Sequence, residues 1–347
     1  MSKIILPAKY PSITTVPKIA QILTILEASE LSLPWITNNF LQLCNIKDNV
    51  ANYCYLNFLE NYLFFDRINL LKTSTIEKHI IAYLAKNIID FVKSCIKDGY
   101  YILICLNSMY ISEYKVKSDF MHSVLIYGYD EAKKEIYYSD FVNGGKYNFY
   151  VMNYEELYSS FYKSVKPKMY EEGYLNEVHI LKIRDYMNEY EEVINIKHIK
   201  DKLIEYLNGD DYSKIFISTN KNIIPKNYSF SFGVNVYEML MENIEVHNIH
   251  ASNRSMYVLF DYFSMLAKKI NTLHKESIIS SGSLCHELMG KVTLIANNSK
   301  IALNSFLKLR IKYPNEIPPN KIKELIAMYK RIKNDSISVI ESIIRAL

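Results

Sequence analysis

One histidine and one aspartate lie in a pattern that could perform acid–base chemistry. His122 opens the apolar run Ser123 to Tyr129, and Asp140 falls near the end of a run that begins at Glu135. These runs predict two strands, and the charged residues Asp130 to Lys134 predict the turn between them. Antiparallel neighbours bring cross-strand side chains within reach of one another. An imidazole held by a carboxylate is how thiol hydrolases and acyltransferases set a catalytic base. We therefore expect a hydrogen bond between the two side chains, direct or through one water.

Each of the two residues also has an ordinary structural explanation. A histidine at the start of a strand can be satisfied by a backbone carbonyl. Asp140 can serve as a turn residue, because Phe141 to Gly145 is rich in turn formers. The pair on successive strands favours the catalytic interpretation more than either residue does alone.

The five cysteines supply the candidate nucleophiles of such a site. Their odd number and unpaired spacing predict neither a disulfide framework nor a zinc site, and they are typical of a reducing cytoplasm. Cys95 and Cys105 lie in apolar segments and are expected to be buried. Cys44 follows Gln42 and Leu43 near a predicted helix end, so it is expected to be exposed and is the first candidate. Cys54, between two tyrosines, is the second. The alternative for Cys44 is a small buried hydrophobe.

Hydrophobic periodicity predicts the elements that must position these residues. Helices come first; they are predicted at 14–26, 34–43, 50–64 and 76–96. The first has Thr14 or Thr15 as its cap, and the last ends at Asp98-Gly99. Strands follow at 100–106, 123–129, 135–141 and 146–152, then a helix at 153–162 and a strand at 178–183. Helices followed by a meander of strands predict an α+β fold.

The second half of the chain has a helical pattern nearly throughout. Predicted helices cover 197–208, 234–244, 254–274, 277–311 and 319–345. The change of period near Asp185 predicts two domains, an α+β domain over 1–170 and an all-helical domain over 185–347. Limited proteolysis is expected to cleave between them, around 163–176 or 208–212.

Composition and charge argue against several classes of protein. The net charge of +4 is small for 347 residues and no Lys/Arg run is present, which argues against a nucleic-acid partner. No segment reaches the roughly 18 apolar residues of a membrane span, and the start lacks the layout of a signal peptide. Gly144-Gly145 is a hairpin turn with no Lys-Ser/Thr after it, so no phosphate loop and no cofactor are expected. We expect a cytoplasmic protein.

The residues around His122 and Asp140 resemble a known superfamily. The segments H-S-V-L-I-Y-G-Y-D, I-Y-Y-S-D-F and G-K-Y are similar to the papain-like fold of the double-glycine leader peptidases and of the butirosin-type acyltransferases of antibiotic gene clusters. The resemblance covers roughly residues 10–165 and implies a base role for His122 and an orienting role for Asp140. Pro34 through Gln42 is similar to proteins in clostridial and bacillar peptide-synthetase clusters, whose helical second half resembles 185–347.

The sequence departs from this superfamily at the nucleophile. The nucleophilic cysteine of the leader peptidases begins the first long helix, in Gln-Cys-Gly-Pro, where the helix dipole helps to hold a thiolate. If Pro17 matches that proline, Thr15 replaces the cysteine and Thr14 replaces the glutamine. A threonine hydroxyl is a poor nucleophile without a strong base beside it. Either Cys44 supplies the attack, or the site is inactive.

Two functions therefore stay open. The first is an acyltransferase that makes an amide from a carrier-protein thioester and a small amine or peptide, with His122 as base, Asp140 as its orienting carboxylate and Cys44 as acyl carrier. The second is an inactive papain-like binding module that partners a peptide synthetase or acyl carrier protein. The many tyrosines of the strand region either fill a pleated core or line a cleft for an apolar acyl chain.

Overall fold

Antiparallel strands form the centre of each of two units. The computed structural model describes residues 2–49, 53–62, 68–85, 87–142, 145–164, 173–184, 193–214, 228–247 and 253–347. The first unit comprises Met1–Leu33 and Phe64–Glu191. The second comprises Pro34–Leu63 and Glu192–Leu347.

Short strands and helices dominate the first half of the chain, and the longest helices lie in the second half. The strands of the described residues are β1 Lys3–Ile5, β2 Leu43–Asp48, β3 Tyr53–Phe58, β4 Leu71–Glu77, β5 Tyr101–Asn107, β6 Met121–Asp130, β7 Glu135–Val142, β8 Lys146–Asn153, β9 Glu177–Ile183 and β10 Tyr228–Phe232. The helices are α1 Pro17–Leu26, α2 Leu33–Asn38, α3 Lys78–Leu84, α4 Ile88–Lys97, α5 Tyr154–Tyr162, α6 Gly173–Asn176, α7 Ile196–Asn208, α8 Val236–His247, α9 Asn253–Lys275, α10 Gly282–Lys312 and α11 Pro319–Ala346. Antiparallel sheets with helices packed on them make the fold mixed α and β, in agreement with an α+β class.

The sheet of the first unit runs β4-β9-β5-β6-β7-β8, with β1 beside β6, and every pair is antiparallel. The predicted meander of strands is confirmed.

Two predicted helix ends are also confirmed. Gly99 adopts a left-handed φ of 81° after α4, and Asn153 forms a capping box with Glu156 at the start of α5. The predicted threonine cap of α1 is wrong, because Val16 is the N-cap and its side chain makes no capping hydrogen bond.

The two faces of this sheet carry different helices. On the face that we call the α4/α5 face, alternate residues of the strands pack against those two helices. The strand residues include Ile104, Leu106, Val124, Ile126 and Tyr138, and the helix residues include Val92, Ile96, Leu157 and Phe161. Helix α1 packs on the other face, where Thr24 Oγ1 lies 2.7 Å from Tyr147 Oη, and Tyr147 Oη lies 2.8 Å from Ser139 Oγ. Successive strand residues point to opposite faces, so residue parity assigns each site residue to one of them.

Three predicted helices of the N-terminal region are wrong in whole or in part. Residues 53–58 form strand β3 where a helix was predicted, α2 ends at Asn38 and is followed by β2, and the predicted helix 76–96 is the end of β4 followed by α3 and α4. Short apolar runs do not distinguish a buried strand from a buried helix, which explains the errors.

The second unit is not all helical, contrary to the sequence prediction. Strands β2, β3 and β10 form a three-stranded antiparallel sheet in the order β10-β2-β3. Helix α9 contacts this sheet through the Ser255 hydroxyl, which accepts a hydrogen bond from the backbone N–H of Leu56 at 3.0 Å. This pairing explains why residues 34–63 belong to the second unit and not to the predicted 1–170 domain. The predicted boundary at 185 and most of the predicted cleavage site at 163–176 lie outside the described residues.

No helix among the described parts of the chain is both long enough and apolar enough to cross a membrane.

A buried lysine ties α2 to the second unit. The ammonium of Lys269 is buried and donates hydrogen bonds to three backbone carbonyls at the end of α2, those of Ile36, Thr37 and Asn39. The last carbonyls of a helix generally have no partner within the helix, and a cation is favourable at a helix C-terminus. Lys269 therefore fixes the short helix that carries Trp35.

Lys269→Met is expected to lower the free energy of unfolding of the second unit by about 3 kcal/mol, because it leaves several buried acceptors without a donor. Trp35 is the single tryptophan of the chain, so its fluorescence during urea unfolding reports on this unit. Lys268→Met, at the neighbouring exposed position, is the matched control and should change the stability by less than about 0.5 kcal/mol. Coincident unfolding curves of the two variants would contradict the assignment.

Candidate functional site

His122 lies at the beginning of β6, on the α4/α5 face. It pairs with Leu106 of β5, and directly opposed residues of antiparallel strands point to the same side of a sheet. Leu106 and Val124 both belong to the apolar core of the α4/α5 face. Asp140 of β7 has the parity of Tyr138 and Val142, which belong to the same core. The meander therefore brings both candidate residues to one face of one sheet.

The hydrogen bond predicted between these residues is present. His122 Nδ1 lies 2.5 Å from Asp140 Oδ2, and the Asp140 side chain is fully buried while that of His122 is 22% exposed. An ionised carboxylate only accepts hydrogen bonds, so this contact places the proton of a neutral imidazole on Nδ1. The Nε2 lone pair is then free to accept a proton. Among the described residues no hydrogen bond is made to Nε2, so the arrangement is that of a general base and its orienting carboxylate.

Tyr114 is a third member of the site, and sequence reasoning missed it. Its hydroxyl donates a hydrogen bond to Asp140 Oδ2, the same oxygen that binds His122. Its ring also packs edge-on against the imidazole, with ring centroids 5.9 Å apart. The residue lies in a 3₁₀ turn, Ser112–Tyr114, between β5 and β6. No local sequence signal marks it, because only the loop conformation brings it to the aspartate.

Burial and hydrogen bonding act in opposite directions on Asp140. Burial raises the pKa of Asp140 above its ordinary value, whereas the hydrogen bonds from His122 and Tyr114 favour the carboxylate and oppose that rise. Burial and the nearby Asp140 charge raise the pKa of Tyr114, so its hydroxyl stays a donor. The second oxygen of Asp140, Oδ1, is buried and makes no hydrogen bond to the described residues. The hydrogen bonds from His122 and Tyr114 therefore both go to Oδ2, the carboxylate oxygen that orients the imidazole.

Most of the tyrosines near the site belong to the core. Tyr127, Tyr129, Tyr138 and Tyr147 are all buried, so they do not line an open cleft. Of the two explanations that the sequence leaves open for the strand tyrosines, a filled core and a ligand cleft, these four residues fit the core. An exposed ring next to His122 belongs instead to Phe120, which stacks on the imidazole with ring centroids 5.6 Å apart.

The structure does not present Cys44 as an activated thiol. We expected Cys44 to be exposed near a helix end, but it lies in strand β2 of the second unit and is fully buried. Burial raises the pKa of its thiol far above the ordinary value. Cys54 is also buried; burial raises its pKa to about 11, and its thiol donates to Asn45 Oδ1 at 2.9 Å. A nucleophilic cysteine needs the opposite environment, one that stabilises the thiolate.

The remaining cysteines also lack the environment of an activated thiol. Cys105 is buried as expected, although Cys95 on α4 is half-buried, and burial raises the pKa of each to about 11. Cys105 pairs with Ser123 and therefore points to the face opposite His122. Cys285 is buried in α10.

Helix α1, which the resemblance implies should carry the nucleophile, packs on the other face of the sheet. The Gln21 side chain of α1 donates to the backbone carbonyl of Ser123 at 2.6 Å, and Thr24 reaches Tyr147 on that same face. Thr15 lies two residues before this helix, and the helix does not cover the face of His122 and Asp140. This placement differs from the arrangement that the resemblance implies.

A second histidine has a carboxylate nearby but lacks the geometry of a base. His179 Nδ1 of β9 lies 3.0 Å from Thr75 Oγ1, at hydrogen-bond distance, and its Nε2 lies 3.6 Å from Glu177 Oε2. Burial lowers the pKa of His179 to about 4. The contact to Glu177 is too long for a hydrogen bond, so Glu177 does not hold this imidazole as Asp140 holds that of His122.

Within the described ranges, no group of three or more His, Cys, Asp or Glu side chains is arranged to hold a metal ion. Comparison of the chain with models of protein families and with curated proteins gives no match.

Proposed function

We propose that the first unit catalyses acyl transfer by general-base catalysis, with His122 acting directly on the acceptor. The observation that carries this proposal is the hydrogen bond from His122 Nδ1 to the buried carboxylate of Asp140, which leaves Nε2 of a partly exposed side chain as the base. A buried carboxylate is costly unless it is paired, and here its hydrogen-bond donors are the imidazole and the Tyr114 hydroxyl.

The proposed reaction needs no nucleophile from the protein. An acceptor amine attacks the carbonyl carbon of an acyl thioester while His122 Nε2 takes the proton from the amine nitrogen. The C–N bond of the amide forms, the C–S bond of the thioester breaks, and the proton on Nε2 returns to the departing thiolate. Asp140 stabilises the imidazolium that exists between these steps. Its role is to hold the imidazole in the tautomer that can accept the first proton.

Direct transfer accounts for the environments of the cysteines. Four of the five are buried, and Cys95 is half-buried with a raised pKa, so none has the environment of a thiolate that would carry the acyl group. The proposal assigns His122 and Asp140 the roles that the superfamily resemblance implies, but it does not include the nucleophilic cysteine of that superfamily. The acyl donor is then a carrier-protein thioester and the acceptor a small amine or peptide, as the resemblance implies.

Two-substrate kinetics test the proposal. With octanoyl N-acetylcysteamine as donor and butylamine as acceptor, direct transfer predicts sequential kinetics and no acyl-protein by intact mass spectrometry. Cys44→Ala should transfer the acyl group as fast as the native protein, within about twofold. Ping-pong kinetics with an octanoylated cysteine peptide would contradict direct transfer and restore the covalent route.

A binding module is the second candidate function, favoured by Thr15 at the position of the superfamily cysteine and by the buried thiols. In this case the unit would partner a peptide synthetase or carrier protein without turnover. The absence of any amide product from the assay above, combined with binding of an acyl carrier protein that survives His122→Gln, would favour the module over the enzyme.

A further inference from the structure

The loop between β5 and β6 is fixed at both of its ends by one buried side chain. Asn107 Oδ1 accepts hydrogen bonds from the backbone N–H groups of Met109 at 3.2 Å and Phe120 at 3.4 Å, and its Nδ2 donates to Asp119 at 2.8 Å. The carbonyl of Phe120 accepts two more hydrogen bonds, from the backbone N–H of Ser108 at 2.8 Å and from its hydroxyl at 2.6 Å. The backbone at both loop ends is therefore well anchored.

Two large apolar side chains project from these anchored positions. Phe120 is 51% exposed and Met109 is 41% exposed. Their backbone nitrogens bind the same oxygen of Asn107, so the two residues are close neighbours. Phe120 lies two residues before His122, and its ring stacks on the imidazole at an interplanar angle of 25°. We refer to Met109 and Phe120 together as the apolar platform.

The exposed apolar side chains of the platform are unfavourable for the free energy of the unbound protein. Exposed apolar surface costs roughly 25 cal/mol per Å², and both side chains are exposed on a backbone that is anchored by hydrogen bonds. Isolated exposed hydrophobes are common, but Phe120 stacks on the imidazole whose Nδ1 is held by Asp140, and Met109 shares the Asn107 anchor with Phe120. An acyl donor that meets an amine held at Nε2 must place its carbonyl carbon near the imidazole, and Phe120 is an exposed apolar side chain within reach of the attached chain there.

We propose that the apolar platform binds the acyl chain of the donor, which makes Phe120 and Met109 determinants of specificity for apolar acyl groups. This inference rests on the proposed function, because it identifies the donor class for the same base. A chain laid across Phe120 would bury apolar area on both partners and would bring the carbonyl carbon close to an amine poised at His122. Polar or very short acyl groups would gain little from the platform.

Binding of non-reactive analogues tests the inference independently of turnover. The probes are the ethyl and octyl thioethers of N-acetylcysteamine, which have no thioester carbonyl to attack, and the readout is the NMR signal of the isotope-labelled Met109 methyl group. The octyl compound is expected to shift this signal at a concentration at least about 10-fold lower than the ethyl compound. Phe120→Ala should abolish the difference. Tyr83→Ala, which removes a ring that is 87% exposed elsewhere in the unit, should preserve it.

The inference would be overturned if the two thioethers shifted the Met109 signal at equal concentrations. It would also be overturned if the difference between them were unchanged by Phe120→Ala. Failure of the proposed base gives a different result. In that case the octyl compound would still bind at Met109 and depend on Phe120, while acyl transfer would be absent or insensitive to His122→Gln. That outcome would keep the platform as an apolar binding site and remove only the catalytic role of His122.

Discussion

Replacing His122 with glutamine is expected to lower kcat/KM for transfer of an octanoyl group to butylamine by roughly 10²- to 10⁴-fold. Glutamine is similar in size to histidine and can still hydrogen-bond to Asp140, but it offers no nitrogen that takes up a proton near neutral pH. The acceptor amine would then have to lose its proton to water during attack. The loss should appear mainly in kcat, because the imidazole is proposed to act in the transition state and not in binding the acyl chain.

The matched control for this variant is His79→Gln, an exposed histidine of the same unit. It should change kcat/KM by less than about twofold, and both variants should unfold at urea concentrations close to that of the native protein. Comparable losses in the two variants would point to a general defect of the preparation. Full activity in His122→Gln would remove the base from the proposed mechanism.

The strands that carry His122 and Asp140 could be predicted because their pattern is local. Both residues lie on consecutive strands joined by a short charged turn, and alternation within such strands determines which side chains share a face. Between β6 and β7, however, the register shifts by one residue between Ile126 and Gly128. Unbroken alternation from the turn would place His122 and Asp140 on opposite faces, so this shift is what brings them to the same face. Sequence reasoning therefore identified the two strands and their turn, whereas the shared face of the two side chains depends on a register shift that it did not predict.

The environment of Cys44 could not be predicted in the same way. Strand β2 pairs with β10, which is distant in sequence, so its burial depends on a partner that no local pattern indicates. The run around Leu43 was short enough to suit either a helix end or a strand. The same non-local pairing explains why a region predicted to be all helical contains a sheet.

Tyr114 and the placement of α1 show a second limit. An amphipathic pattern tells which residues of a helix are buried, but not which face of a sheet they cover. The 3₁₀ turns between β5 and β6 have no hydrophobic period, so nothing in the sequence indicates that Tyr114 reaches Asp140. The pair of residues that could do chemistry was therefore predictable, whereas its third member and the position of the expected nucleophile depended on tertiary packing.

Asp140→Asn is expected to reduce kcat for the same transfer by about 10²- to 10⁴-fold while preserving most of the fold. An asparagine can present its amide N–H to His122 Nδ1, which would place the imidazole proton on Nε2. The imidazole would then offer a donor where the reaction needs an acceptor. Tyr114 contacts the same oxygen as His122, so in this orientation its hydroxyl would lose its acceptor and would have to turn away from the amide nitrogen. Nitrogen chemical shifts of His122, measured by NMR, would distinguish the two tautomers directly.

Stability provides a separate test of the Asp140 assignment. Burial raises the pKa of Asp140, so the folded protein binds this proton more tightly than the unfolded chain does. The stability contributed by that proton is present below the ordinary pKa of aspartate and is lost as pH rises through the raised value of the folded state. Asp140→Asn has no such proton and should flatten the decline in unfolding free energy over that window.

If the two residues act as one unit, the double variant with His122→Gln should be no less active than His122→Gln alone. Losses that multiply in the double variant would mean that Asp140 acts independently of the imidazole.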